Sequence, residues 1–425
     1  MALLRESIAL IVFVATIATI IARPSRVPEW LAAIAGVAVM VGTGVLSSAG
    51  AWQAVAARWD VLLFFAGLMT VVAVAESAGF FSWIAFLGAR AAGGSARRLF
   101  VTVLVSSAIV TALLTNDAAV LVITPLVFSL AGSLRLRPLP YALASAFMAN
   151  AGSLALPISN PVNVMIAESV RLTLSEYLAL LWLPSVLAIA ATAGILWIML
   201  GSKIQLRFEP SRLSAPEGDP RHRMEATVLL ALTGAVLVAT SALGSFVGVA
   251  ACGAAALMLA HAALRGRLDW RRVIGNANPT IIVLVAALFA LTEGIVKSGV
   301  LAAPLTALLH LSFGHPESAG AATALATAVA SNVLNNLPTA AVAVAALHNV
   351  PFSASVAHRI AGGAIVGCDL GPNLTTIGSL STLMWLVLLR RRGLEVSALD
   401  YLRVGAFVAP VTIVLAVGAT LLTMR

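Results

Sequence analysis

The length of its apolar runs limits this chain more than any other feature. Predominantly apolar stretches occupy about residues 7–22, 30–50, 172–201, 226–241, 244–264 and 279–296. A helix needs about 20 mostly apolar residues to cross the hydrocarbon core of a bilayer, and several of these runs reach that length. Membrane β-barrel strands would instead alternate polar and apolar residues over about 10 positions, a pattern absent here. Charged residues make up 10% of the chain, where a soluble domain carries about 25%. The expected fold is an all-α polytopic membrane protein.

The formal charge of +9 is read as a topology signal rather than as a nucleic-acid surface, because Lys and Arg collect on the cytoplasmic side of membrane proteins. Ten transmembrane helices are expected at about 7–22, 30–50, 60–79, 139–168, 173–200, 226–243, 245–264, 279–298, 354–389 and 404–423. Two further apolar stretches, 98–133 and 317–350, are read as re-entrant hairpins. The first apolar run is taken as a span, since no small-residue cleavage site stands out near Ala22. With both termini outside, most of the 26 basic residues fall in cytoplasmic loops, among them Arg97, Arg98, Arg135, Arg137 and Arg390–Arg392. Cys252 and Cys368 give no disulfide framework.

The chain divides into two halves that echo each other at an offset near 219. Residues 1–201 hold hairpin 98–133 and a broken helix at 139–168; residues 226–425 hold hairpin 317–350 and a broken helix at 354–391. A polar, proline-containing stretch, 202–225, reads as a cytoplasmic linker. At the common offset Asn116 matches Asn335, Asp117 matches Asn336, Asn150 matches Asp369 and Gly152 matches Gly371. Each half also has a short apolar stretch, 81–94 and 300–314. The first hairpin begins beside Arg97 and Arg98, the second in a loop without Lys or Arg. Matching elements of opposite orientation are the sign of an inverted-repeat secondary transporter.

Four polar clusters interrupt the apolar sequence: Thr115-Asn116-Asp117, residues 150–163 (NAGSLALPISNPVN), residues 331–339 (SNVLNNLPT) and residues 368–379 (CDLGPNLTTIGS). Gly152, Pro157, Pro161, Gly371, Pro372 and Gly378 are poor helix residues. A helix broken at membrane depth is tolerated only where protein or a water-filled cavity satisfies its free backbone groups. Two hairpin tips and two breaks would therefore converge on one polar chamber. Ionisable residues inside spans are functional by default, and Asp117 and Asp369 lie inside the clusters. Burial disfavours the charged form of a carboxyl group, so both are candidate proton carriers. Glu293 and Lys297, four apart on one helix, read as an ion pair. The histidines show no metal-ligand spacing, and there is no Walker loop, so no metal, cofactor or ATP hydrolysis is expected.

Three of these segments, TNDAAVLVITPLV, SNVLNNLPT and above all CDLGPNLTTIGSLSTLMWLVLLRR, resemble the arsenite efflux permeases of the ion transporter superfamily; NAGSLALPISNPVNV is similar to the family's segment after its first hairpin. The resemblance runs from about residue 60 to the end. It implies export of neutral arsenite or antimonite, by proton exchange or beside a partner ATPase, through an elevator motion of a transport domain against a scaffold domain. The stretches 81–94 and 300–314 would be arm helices. Members often carry Asn in place of Cys368, which implies that a thiol is not required. Near neutral pH arsenite is an uncharged trihydroxide, and Asn116, Asn150, Ser159, Asn335, Asn336, Asn373, Thr375 and Thr376 would supply its hydrogen bonds, with Asp117 and Asp369 coupling protons.

Other readings stand beside this one. A sodium–proton antiporter fits Asp, Asn and carbonyl oxygens, and silicic acid is another neutral hydroxide. An organic-anion symporter would meet repulsion from Asp117. An intramembrane enzyme finds no support, since no Glu-x-x-x-His or Ser/His pair sits in the clusters.

Overall fold

In a computed structural model of the chain, the described residues are 2–22, 27–208, 219–243, 246–277, 279–300, 318–349 and 353–423. They form α1 (Ala2–Ala22), α2 (Glu29–Gly42), α3 (Ser48–Ala56), α4 (Trp59–Ser77), α5 (Phe80–Ala91), α6 (Ala96–Leu113), α7 (Asn116–Leu134), α8 (Pro138–Gly152), α9 (Pro161–Ser169) and α10 (Leu174–Leu200). Beyond the linker come α11 (Pro220–Ala242), α12 (Val247–Leu264), α13 (Trp270–Ala277), α14 (Thr280–Ser298), α15 (Ala319–Leu334), α16 (Asn336–Asn349), α17 (Ala354–Leu370), α18 (Leu380–Arg391) and α19 (Ala398–Thr423). Among the described residues, 9 helical segments are long and apolar enough to cross a membrane. The protein is an all-α polytopic membrane protein.

Local chemistry explains where the expected spans break. The stretch 30–50 is not one span: α2 ends at Gly42, Gly44 takes φ +72, and the Ser47 hydroxyl accepts from Gly50 N to start α3. A left-handed residue followed by a serine cap stops one helix and opens another. The stretch 139–168 breaks between α8 and α9. Leu156 and Asn160 are extended, and each precedes a proline, Pro157 or Pro161. Proline pushes the residue before it out of helical backbone. The stretch 354–389 breaks between α17 and α18, where Gly371-Pro372 leads to an extended Ser379 whose hydroxyl caps α18.

The hairpin arms differ in length. Helices α6 and α7, of 18 and 19 residues, each reach spanning length; α15 and α16 do not. The expected linker is shorter than 202–225, because α11 begins at Pro220; residues 209–218 lie outside the described residues. The first arm stretch is α5. Its counterpart at 300–314 lies outside the described residues from position 301 onward. Glu293 and Lys297 pair at 3.3 Å, as their spacing predicts.

Three apolar cores hold the bundle. One joins α1, α2, α4, α12 and α14 around Phe13, Phe65 and Phe289. A second joins α6, α7 and α8 to Leu196, Trp385 and Tyr401. The third joins α9 and α17 to Tyr177, Ala328 and Ala416. Helices approach most closely where glycine removes the side chain. On α17 and its C-cap, Gly363 faces Gly320, Gly367 faces Thr327 and Ala324, and Gly371 faces Ala328. Small residues four apart let membrane helices touch backbone to backbone.

A dense group of charged side chains lies at one end. There Arg390 donates to Glu29 and to the carbonyls of Ile20 and Ile21, Arg392 pairs with Glu76 at 3.0 Å, Arg265 pairs with Glu225, and Arg97 lies over Trp197. The opposite end holds the α4–α12 contact, where the Asp60 carboxylate accepts from Gly248 N at 2.9 Å.

Candidate functional site

Each hairpin tip is built as a capped helix start pinned to a broken helix. At the first tip, Thr115 is extended and its hydroxyl accepts from Ala118 N at 2.9 Å, so Asn116 and Asp117 open α7. The connector between α8 and α9 holds this tip, because the Ser159 hydroxyl donates to Ala112 O at 2.8 Å. At the second tip, Asn335 takes φ 77 and its Oδ1 accepts from Leu337 N, so Asn336 opens α16. The connector between α17 and α18 holds it twice: Asn335 Nδ2 donates to Ile377 O and Asn336 N donates to Gly378 O, both at 2.9 Å. With ψ 156 the Asn335 backbone lies outside the left-handed helical region, in one that glycine almost alone adopts, so Asn335 is held there by its bonds to Leu337 N and Ile377 O.

The two broken helices are then tied to each other reciprocally. Asp369, near the end of α17, accepts from Asn160 Nδ2 at 2.7 Å and from Asn163 Nδ2 at 2.8 Å. Asn150, near the end of α8, donates to Thr382 Oγ1 at 3.3 Å and to Asn373 Oδ1 at 3.1 Å, and its Oδ1 accepts from Ser379. Asn150 and Asp369, Asn160 and Ser379, and Asn163 and Thr382 are each separated by the same offset of 219 positions. The same contact is thus made in both directions across the interior. Asn163 also reaches Ser153 O and the Tyr177 hydroxyl. Buried polar side chains cost free energy unless hydrogen-bonded; this web pairs most of them and leaves Asn163 Oδ1 and Asn373 Nδ2 without a partner among the described residues.

A cavity of about 170 Å³ lies where the tips meet the first core. Arg58, Asn116, Asp117, Asn160, Phe289 and Asn336 are in its wall. A second, wider cavity of about 480 Å³ adjoins it, sharing Val61, Asp117, Pro161 and Met165, and continues past Asp60 and Glu168. That wider space reaches the start of α4 and of α12 and the end of α9, the end opposite the Arg390 and Arg392 group. Asn116 and Asn336 are each 3% exposed, and the side-chain oxygen of each has no partner among the described residues. Buried polar atoms are almost always satisfied; both of these oxygens are enclosed by protein, and Asn163 Oδ1 and Asn373 Nδ2 in the web are likewise unpaired among the described residues. No hydrogen bond or ion pair to the Asp117 carboxyl is seen among the described residues. Phe289 and Val61 make the rest of the wall apolar.

Of the ten residues singled out from sequence, the cavity brings together Asn116, Asp117 and Asn336. Asn335 and Ser159 pin the tips, as described above. Asn150, Asn373 and Asp369 lie in the reciprocal web and line neither cavity. Thr375 donates to Asn332 Oδ1 at 2.7 Å, while Asn332 Nδ2 bonds Gly371 O; Thr376 is buried behind them. Sequence reading missed Arg58, Asn160 and Phe289. Asn160 stands in a quoted cluster beside Pro161, so its signal was present. Arg58 lies between two apolar runs and reads as an ordinary loop charge.

Among known proteins, the family model described as Citrate transporter matches residues 9–367. An arsenical pump membrane protein of Yersinia enterocolitica is 29% identical over 82% of each chain. One of Escherichia coli strain K12 is 29% identical over 93% of each. An uncharacterized transporter of Mycobacterium tuberculosis is 27% identical over 96% of each. Since the family model spans most of the sequence, and the fold is a polytopic bundle with polar hairpin tips, the chain belongs to the citrate transporter family of multi-pass membrane transporters.

Proposed function

We propose that the protein exports arsenite or antimonite, as the neutral trihydroxide, from the cytoplasm across the inner membrane in exchange for protons. The observation that carries this reading is the small cavity lined by two buried asparagines and one carboxyl group, Asn116, Asn336 and Asp117. A trihydroxide presents three O–H donors to such a wall. A site built to hydrogen-bond hydroxyls rejects analogues without them, since its buried acceptors are then left unpaired. The names of the relatives from Yersinia and Escherichia support the same substrate.

In this reading Asp117 carries the proton. It is the carboxyl group common to the two cavities, whereas Asp369 holds the broken helices together. The hairpin tips and connectors, bonded to each other, move as the transport unit past α4 and α14, which belong to the scaffold. The basic end faces the cytoplasm by the positive-inside rule, and the wider cavity then opens outward. Both termini would lie outside.

A second reading, transport of citrate or another carboxylate, is favoured by the family's description and by Arg58 in the cavity wall. Against it stands Asp117 on the same cavity, with one guanidinium to meet a polyanion. Sodium–proton exchange remains the competitor among cation carriers.

The test is uptake of arsenite, antimonite, citrate or sodium into everted vesicles under an imposed proton gradient without ATP. Arsenite accumulation that collapses with an uncoupler is expected. Accumulation that appears only with ATP and a soluble ATPase subunit would replace proton exchange with a partner-driven pump. Citrate accumulation, or gradient dissipation by sodium alone, would overturn the substrate.

A further inference from the structure

Arg58 stands at the N-cap position of α4 and lines the cavity together with the hairpin-tip residues Asn116, Asp117 and Asn336. Its guanidinium lies 5.3 Å from the centre of the Phe289 ring, and Nη1 donates to Ala54 O at 3.1 Å. Phe289 is 2% exposed and also lines the cavity. The ring and the carbonyl hold the plane of the guanidinium, and they occupy only part of its donor capacity. An Arg side chain carries five N–H donors in a rigid fork. No carboxylate lies within ion-pair distance of Arg58 among the described residues. The nearest acid in the cavity wall, Asp117, shares the space without pairing.

The tip residues offer acceptors, and Arg58 offers donors. A solute seated between them is held on one side through its O–H groups and on the other through its oxygen lone pairs. An alkali cation finds favourable oxygens on the tip residues but meets the positive charge of Arg58. We propose that Arg58 is a substrate-contacting residue that sets the charge preference of the cavity, admitting neutral hydroxides and oxyanions and excluding alkali cations. This deepens the proposed function and rests on the same cavity. It assigns a role to a side chain that the sequence places at an unremarkable span end.

The experiment compares wild type with Arg58→Gln and Arg58→Lys in everted vesicles. It measures the concentration dependence of arsenite, antimonite and citrate flux, and separately the dissipation of a proton gradient by added sodium. Hydrogen bonds to a charged group are worth enough that Arg58→Gln should raise the half-saturating concentration of the carried solute about tenfold or more. The maximal rate should change far less. The same variant should gain sodium-dependent proton flux that wild type lacks. Arg58→Lys keeps the charge and loses the fork, so it should show a smaller rise in half-saturation and no sodium flux. If Arg58→Gln does not insert, Arg58→Lys still carries the affinity arm. A residue that only supports α4 would instead lower folded yield and maximal rate together, leaving half-saturation and ion selectivity unchanged, and that result overturns the inference. Failure of the underlying reading looks different: wild type moves no arsenite, while the Arg58 variants still alter half-saturation for whichever oxygen-bearing solute it does carry, or still admit sodium.

Discussion

Substitution of Gly371 tests how tightly the second hairpin is seated. Its backbone, φ −53 and ψ −46, is open to any L residue, so conformational strain plays no part. Space does. A Cβ on Gly371 would stand 2.6 Å from Ala328 Cα, 2.8 Å from Ala328 O and 3.0 Å from Ala328 Cβ. Carbon atoms settle near 3.5 Å apart, so α15 and the end of α17 must separate by roughly 1 Å at this point. Overpacking of this kind costs about 1–3 kcal/mol. The better helix propensity of alanine offsets up to about 1 kcal/mol of that, leaving a net loss of about 0–3 kcal/mol for Gly371→Ala. Gly371→Leu removes the chance of local adjustment and should lose more than about 3 kcal/mol. The separation would also stretch the bond from Asn332 Nδ2 to Gly371 O, 2.8 Å in the structure, and so loosen the tip that carries Asn336. The assay is thermal unfolding of purified protein in detergent. Gly418→Ala serves as the control, since nothing lies within 4 Å of a Cβ there; it should be neutral or gain about 0.5–1 kcal/mol. If Gly371→Leu melts with wild type, the close approach of α15 to α17 is wrong.

Three further outcomes are expected. Asp117→Asn, inserted at wild-type level, should lose the dependence of arsenite uptake on the imposed proton gradient; coupling that persists across pH would remove Asp117 as the proton carrier. Asn336→Leu withdraws one acceptor and fills part of the cavity, so half-saturation should rise about tenfold with little loss of thermal stability, read from flux and melting together. Arg390→Met removes the donor to Glu29, Ile20 O and Ile21 O inside the protein, and it should cost on the order of 3 kcal/mol in detergent unfolding.

The fold class was legible because apolar runs near spanning length allow few alternatives. The polar clusters were legible for the same reason: Asn, Asp, Gly and Pro stand out against leucine and alanine. Their division of labour was not. Asn150 and Asn116 look alike in sequence, yet one meets Asn373 and Thr382 in a closed web and the other stands in a cavity wall. Which of these happens depends on partners more than 200 positions away, and no local pattern carries that information. The break in 30–50 had a local signal, Gly42, Gly44 and Ser47, that hydrophobicity outweighed. Gly363, Gly367 and Gly371 form a visible stripe of small residues four apart, but only tertiary packing reveals that α15 lies against it.

The reciprocal web bears directly on how a carrier of this kind can move. Two broken helices exchange equivalent hydrogen bonds, Asp369 with Asn160 and Asn163, Asn150 with Thr382 and Ser379. Each connector in turn grips one hairpin tip. Moving one tip alone would tear several buried bonds at once, each costing about 1–3 kcal/mol if left unmade. Arg58 and Phe289, by contrast, approach the tips across a cavity rather than through a bonded contact. The seam between the tips and helices α4 and α14 is instead held by apolar packing, with Ala118, Leu121 and Leu334 in one core with Phe65 and Phe289. On the proposed function, alternating access follows that seam, with Asn116, Asp117 and Asn336 travelling together and Arg58 left behind. A solute would then trade its guanidinium contact for whatever lines the inner position, which makes outward affinity the quantity most sensitive to Arg58.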